Sequence, residues 1–381
     1  MATTSHLNPP VTYHSLCTMA TRATPAMSCP GYLLLLAAAA AALLAAAAAA
    51  GDPATKIGIC HGRVGSNLPA PEAAAALLKQ NGITKARLFL PDPAVLPAFA
   101  AAGIDLTVGV PNENLTYLSS SGPDGALQWL RASGLATNPV AARLRSLVVG
   151  NEVLYNNQFY AQHLVPAMRN LHAALAALGM DGAVRVSSAH ASSVLATSYP
   201  PSAGAFDGSV LEVLRPMLRF LADTGAPFML NAYPFISHAS DPANVPLAYA
   251  LSSSSSSSGA AAATVVQDGA LAYTGLFDAT VDAAAAALER EGFGGVAVAV
   301  TETGWPTAGH PAATPENAAV YNGGVAERAA RGTGTPRRPG TPVEVFLFDL
   351  YDEDGKPGAE IERHFGIFRA DGTKAYDISF A

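Results

Sequence analysis

The feature that most constrains this 381-residue chain is an alternation that begins at Lys56. Short β-branched or apolar runs are separated by longer Ala- and Leu-rich stretches with helical spacing. Repeated βα units require this pattern, because each strand must pass the chain through a crossover helix before a parallel neighbour can form. Eight such runs are present: Lys56–Cys60, Lys85–Leu90, Asp105–Val110, Ser146–Asn151, Val184–Ala189, Phe228–Ala232, Val296–Thr301 and Glu344–Leu350. Helical spacing marks Pro71–Gln80, Pro93–Ala102, Tyr160–Leu178, Leu211–Thr224, Phe277–Arg290 and Pro315–Ala330. Eight units within residues 51–381 predict an α/β fold, a closed (β/α)8 TIM barrel forming a single domain. The alternative is a doubly wound open sheet, but no G-x-G-x-x-G turn follows the first run and no phosphate loop occurs elsewhere.

Upstream of the alternation, Leu33–Ala50 is an uncharged run of Leu and Ala preceded by Arg22. Its polar-then-apolar order, ending in small residues, predicts a secretory signal peptide over residues 1–50 with cleavage near Ala50. A retained membrane helix is the competing reading, since the run approaches the roughly 20 residues that span a bilayer. Alanine is weakly hydrophobic, which favours removal. Met19 and Met27 offer internal starts, in which case the residues before them belong to no folded product. Cys17 and Cys29 fall with the leader, leaving Cys60 alone and no intrachain disulfide. The Asn114-Leu115-Thr116 sequon agrees with secretion. Twenty-two basic against 29 acidic residues give a net charge of −7. Such a chain lacks the clustered cations that nucleic-acid binding uses to displace counterions. Ser252–Ser258, followed by Gly259 and four alanines, has little to bury and predicts an exposed loop after the sixth strand.

Barrel enzymes carry their reactive groups just beyond the carboxyl ends of the strands. Glu152 follows Leu147–Asn151, at the end of the fourth run. Glu302 follows Val298–Thr301, at the end of the seventh, and leads into Thr303-Gly304-Trp305-Pro306. One glutamate in such a place reads first as a solvated loop carboxylate or a partner of a helix terminus. Two of them, each after a hydrophobic strand, supply what glycosidic cleavage needs. One protonates the leaving oxygen, and the other acts as nucleophile or base. Their spacing does not distinguish the roles.

The segment V-A-V-T-E-T-G-W-P-T-A-G (Val298–Gly309) closely resembles the signature of glycoside hydrolase family 17, the plant β-1,3-glucanases. The resemblance extends in order through Ile57–Pro69, Val110–Leu115, Val148–Val153, Leu164–Leu175, Ser198–Phe206, Asn231–Phe235, Leu276–Ala283, Pro315–Asn322 and Gly355–Phe368. It implies a (β/α)8 barrel and retaining endo-hydrolysis of β-1,3-glucan, with Glu152 as acid/base and Glu302 as nucleophile. Neither metal nor cofactor is implied. Arg87, Asn112, Asn151, Tyr233, Glu353, Lys356 and Glu362 match cleft-lining positions of the family. Asn151 is suited to the sugar 2-hydroxyl, which matters most in an oxocarbenium-like transition state. Arg87 and Lys356 are suited to holding carboxylates ionised. Tyr233 and Trp305 are suited to offering ring faces to sugars, although core packing is the commoner fate of an aromatic.

Departures from the family pattern are His61 for Tyr, Leu90 for Asp, Phe235 for Tyr, Gly275 for Asn, and Asp352–Lys356 for N-E-N-Q-K. None removes a catalytic carboxylate. His61 joins the expected sugar contacts, with packing at the strand end as its plainer reading. Two other functions stand beside the leading one: a 1,3;1,4-β-glucanase, and a glucan-binding wall protein without turnover, whose mark would be loss of Glu152 or Glu302. No hydrophobic tail for a lipid anchor follows Phe380. The expectation is a monomer secreted to the apoplast or cell wall. Its partner is a polysaccharide substrate, with no nucleic acid and no stable membrane association.

Overall fold

The eight apolar runs form strands because each is buried on both faces, by side chains in the barrel on one side and by helices on the other. A computed structural model describes residues 57–156, 158–252 and 266–380. The leader expected over residues 1–50 and positions 253–258 of the serine run lie outside the described residues. The strands are β1 (Ile57–His61), β2 (Lys85–Leu88), β3 (Asp105–Val110), β4 (Leu144–Asn151), β5 (Arg185–Ala191), β6 (Phe228–Asn231), β7 (Val298–Thr303) and β8 (Val345–Leu347). They close into an all-parallel barrel in the order β1-β8-β7-β6-β5-β4-β3-β2. The seam pairs Ile57 with Val345 and Ile59 with Leu347.

The helices that cover the outside include α1 (Pro71–Gln80), α2 (Val95–Ala101), α3 (Gly122–Ala132), α4 (Ala161–Ala177), α5 (Leu211–Thr224), α6 (Leu276–Arg290) and α7 (Pro315–Arg331). Their ends follow local rules. In α7 the Thr314 side chain accepts the Asn317 amide at 3.2 Å, Pro315 opens the first turn, and Gly332 closes the helix at φ 62°. The main apolar core lies between strands and helices. A smaller cluster of Val148, Ala189, Met229 and Ala299 takes one residue from each of the four successive strands β4 to β7.

Three details differ from the expectation. Glu302 lies within β7 rather than after it, because Thr301, Glu302 and Thr303 continue the ladder and are buried. Helix α3 stands where the helical spacing marked no helix, and its proline occupies the first helical turn, where no amide is needed. Among the described residues no α-helix follows β8, and the chain returns through a 3₁₀ turn at Glu360–Arg363. Nor, among them, is any helix long and apolar enough to cross a membrane.

Candidate active site

At the carboxyl end of the barrel, two strands bring glutamates to one cavity by different means. The β4–β5 register slips between Val148 and Asn151, and the β7–β6 register slips between Val300 and Glu302. Such bulges re-aim side chains at strand ends. Glu152 then takes φ 51° and is the sole non-glycine with positive φ among the described residues. This conformation costs on the order of 1–3 kcal/mol and persists only when the surroundings enforce it. Enforcement comes from Asn112, whose Oδ1 accepts the Asn151 amide at 2.8 Å while its Nδ2 donates to the Asn151 carbonyl at 3.1 Å. The Glu152 amide donates to Ala189 O at 2.9 Å.

Glu302 is fixed through its side chain. Arg87 reaches across the interior from β2, and its Nη1 donates to Glu302 Oε1 at 2.7 Å and to Thr301 O at 2.7 Å. The other oxygen, Oε2, accepts the Tyr233 hydroxyl at 2.8 Å. Arg87 is only 1% exposed. Its Nη2 donates to Asn151 Oδ1 at 2.9 Å, and the guanidinium lies 4.8 Å from the centre of the Phe89 ring. Asn231, at the end of β6, ties the halves together. Its Nδ2 donates to Glu152 Oε1 at 3.0 Å, and its Oδ1 accepts Thr301 Oγ1 at 3.1 Å.

The electrostatic consequence is asymmetric. Burial, and then the charge of Glu302, push Glu152 above the usual carboxylate range, against the opposing pull of the Asn231 hydrogen bond and the Arg87 charge. Burial and the same Glu302 charge push the Tyr233 hydroxyl well up, so it remains a donor.

The cavity has a volume of about 440 Å³. Glu152, Glu302, Asn151, Tyr233, His61, Glu353, Lys356 and Glu362 all border it. Lys356 Nζ lies 3.4 Å from Glu353 Oε2 and 3.8 Å from Glu362 Oε2, above the Phe348 ring. Arg87 lies beneath the cavity, and Asn112 stands behind Asn151, bordering a neighbouring hollow. Trp305 is a correction. It is fully buried, its indole N–H donates to Ala312 O at 2.8 Å, and its ring meets Phe235 and Tyr321 edgewise or tilted. With its polar edge satisfied inside the core, it presents no face to a sugar.

His61 borders the cavity but is 1% exposed, stacked at 5.5 Å on Phe99. Burial and then the Arg63 charge push it down to about 4, so it is neutral at physiological pH. Phe235 is likewise core, whereas Leu90 is exposed at the rim. Gly275 has a steric reason. A Cβ there would fall 1.7 Å from the Ser252 carbonyl oxygen. The sequence reading passes over Asn231, although an asparagine closing an apolar strand carries the same signal that picks out Asn151.

A parallel eight-stranded barrel with two glutamates at the ends of β4 and β7, one raised by burial and the other gripped by a cation, defines a barrel glycoside hydrolase. The chain belongs to the glycosyl hydrolases family 17, whose sequence profile matches residues 57–380. It is 39% identical over 330 residues to a glucan endo-1,3-beta-glucosidase of Vitis vinifera, covering 86% of this chain and 92% of that one. It is 41% identical over 326 residues to the acidic isoform of glucan endo-1,3-beta-glucosidase from Zea mays, covering 85% and 91%. Its fold matches a β-1,3-glucanase and allergen of Cryptomeria japonica pollen with a TM-score of 0.80 at 39% identity, over 85% of this chain and 99% of that one.

Proposed function

We propose that this protein is a retaining endo-hydrolase of 1,3-β-glucosidic linkages in β-1,3-glucans such as callose or fungal and plant wall glucan. The observation that carries the reading is the split environment of the two glutamates bordering one cavity. Glu302, with Arg87 and Tyr233 orienting its oxygens, attacks the anomeric carbon. Glu152, carrying a proton, gives it to the departing glycosidic oxygen. The product is a glycosyl ester on Glu302 and a free glucan end. Ester formation removes the Glu302 charge, and with it one cause of the raised Glu152 pKa. Glu152 then loses its proton more readily and stands ionised for the second step, in which it takes a proton from water as that water cleaves the ester with net retention.

Asn151 Oδ1 is occupied by Arg87 and Asn231, which leaves its Nδ2 to meet the sugar 2-hydroxyl. The leader over residues 1–50 agrees with export to the apoplast or wall, and N-terminal sequencing of the exported protein tests its removal near Ala50. The activity itself is tested by incubating purified protein with laminarin and with mixed-linkage glucan, then sizing the products. Short laminari-oligosaccharides released early from the interior of the chain support the reading. Turnover confined to mixed-linkage glucan overturns it in favour of a 1,3;1,4-β-glucanase.

A further inference from the structure

Beyond β8, a second pair of carboxyls is buried, of which the sequence marks only Glu353. Asp349 is 1% exposed and Glu353 is 3% exposed. Both oxygens of Asp349 accept the Gly62 amide, at 3.2 and 3.1 Å, and Oδ1 also accepts the Leu350 amide at 2.6 Å. Glu353 Oε1 accepts the Val64 amide at 2.8 Å. Two alternate amides of the chain leaving β1 are thus held by two carboxyls of the chain leaving β8. Gly62 is pressed so closely between them that a Cβ there would fall 2.2 Å from the Glu353 carboxyl. Gly62 thus donates its amide to Asp349 while its α-carbon lies against the Glu353 carboxyl, which brings the two acids side by side.

The charges around them do not balance if both are ionised. From the β8 exit, Lys356 is the cation facing them, and it is shared between Glu353 and Glu362. From β1, the facing titratable group is the buried Cys60 thiol, whose ionisation burial opposes. Two carboxylates in contact within a low-dielectric interior are disfavoured unless one keeps its proton.

We propose that Asp349 is a neutral carboxylic acid in the folded protein, donating its proton to the Glu353 carboxylate, and that this pair clamps the β1 exit to the β8 exit. Burial followed by the Glu353 charge pushes Asp349 well above the usual carboxylate range, in agreement with the geometry. Asp349 does not border the cavity, whereas Gly62, Val64 and Glu353 do. It is therefore a positioning residue, and that role in glucan binding rests on the function proposed above.

Asp349→Asn reproduces the neutral acid, since an amide both accepts from Gly62 and donates to Glu353. Infrared spectra of the wild-type protein at neutral pH are expected to contain a protonated-carboxyl carbonyl band that Asp349→Asn lacks, Glu152 being common to both. In Glu353→Gln that band is expected to vanish at a lower pH than in wild type. Because the native state holds a proton that the unfolded chain releases, native stability falls as pH rises between the two acidity constants. The melting temperature of Asp349→Asn is therefore expected to gain on wild type steadily from pH 5 to pH 8.

With laminarin, Asp349→Ala is expected to raise KM about tenfold and Asp349→Asn to hold it within about twofold of wild type. Identical infrared spectra together with parallel melting curves would overturn the proposal, even if Asp349→Ala does not fold. Those two measurements use no substrate, so their failure is distinct from a failure of the glucanase reading.

Discussion

The exits of β4 and β7, with β5 and β6 between them, deliver the same side chain by opposite strategies. At β4 the backbone is constrained: Asn112 grips both polar groups of the Asn151 main chain, Glu152 sits at φ 51°, and one side-chain donor reaches the carboxyl. At β7 the backbone continues as strand and the carboxyl is constrained, with Arg87 on one oxygen and Tyr233 on the other. A carboxyl that must gain and lose a proton needs few fixed donors and a burial cost for its charge. A carboxyl that must attack one carbon needs its oxygens aimed. The difference in restraint therefore predicts the division of labour that the spacing of the glutamates leaves open.

The comparison is broken most severely by removing the carboxyls themselves. Glu302→Ala is expected to lower turnover of laminarin on the order of 10⁵-fold, and Glu152→Ala by about 10²–10⁴-fold. Substrates with good leaving groups should restore the glycosylation step in Glu152→Ala alone, because that step then needs no proton, while hydrolysis of the ester stays slow without the base. Equal losses on both substrate types in both variants would remove the distinction.

Arg87 is next. Arg87→Gln leaves Glu302 buried without its cation and should destabilise the fold by about 3–5 kcal/mol, read by denaturant unfolding. It should also raise the pKa of Glu152, since Arg87 lowers it. A loss below about 1 kcal/mol would show that the pair contributes little beyond a surface bridge.

Asn231→Ala sharpens the β4 side. Its hydrogen bond lowers the Glu152 pKa, so its loss should move that pKa up. Glu152 must be protonated for the first step. The alkaline limb of kcat/KM should therefore shift to higher pH, with an activity loss of about tenfold at the optimum. A shift to lower pH would contradict the assigned cause. The smallest effect on catalysis is expected from Trp305→Phe, which should lower stability by about 1–3 kcal/mol through lost packing and the loss of one of the two hydrogen bonds to the Ala312 carbonyl, while leaving KM for laminarin unchanged.

The barrel was legible in the sequence because a buried parallel strand is apolar over most of its length, as in Asp105–Val110, where Asp105 at the half-buried entry and Thr107 are the polar residues. The two glutamates were legible because a charge at the end of such a strand is conspicuous. Neighbours brought together across the barrel left no local trace. Asn231 is one neutral amide in the string F-M-L-N, and nothing nearby announces that it bridges Glu152 to Thr301. Asp349 hides in the same way within F-L-F-D-L. Trp305 misled because an aromatic just past a catalytic strand has the composition of a sugar platform. Its orientation depends on how Ala312 and Phe235 return to it from other parts of the chain.

The assignment of roles is tested most directly by the anomeric configuration of azide products. Glu302→Ala cannot form the glycosyl ester, so azide should attack substrate directly and give the α-glycosyl azide. Glu152→Ala, given a substrate with a good leaving group, should form the ester on Glu302 and pass it to azide as the β-glycosyl azide. These two products together are the result the account predicts. The opposite anomers would exchange the roles of Glu152 and Glu302 and contradict the link drawn between restraint and function.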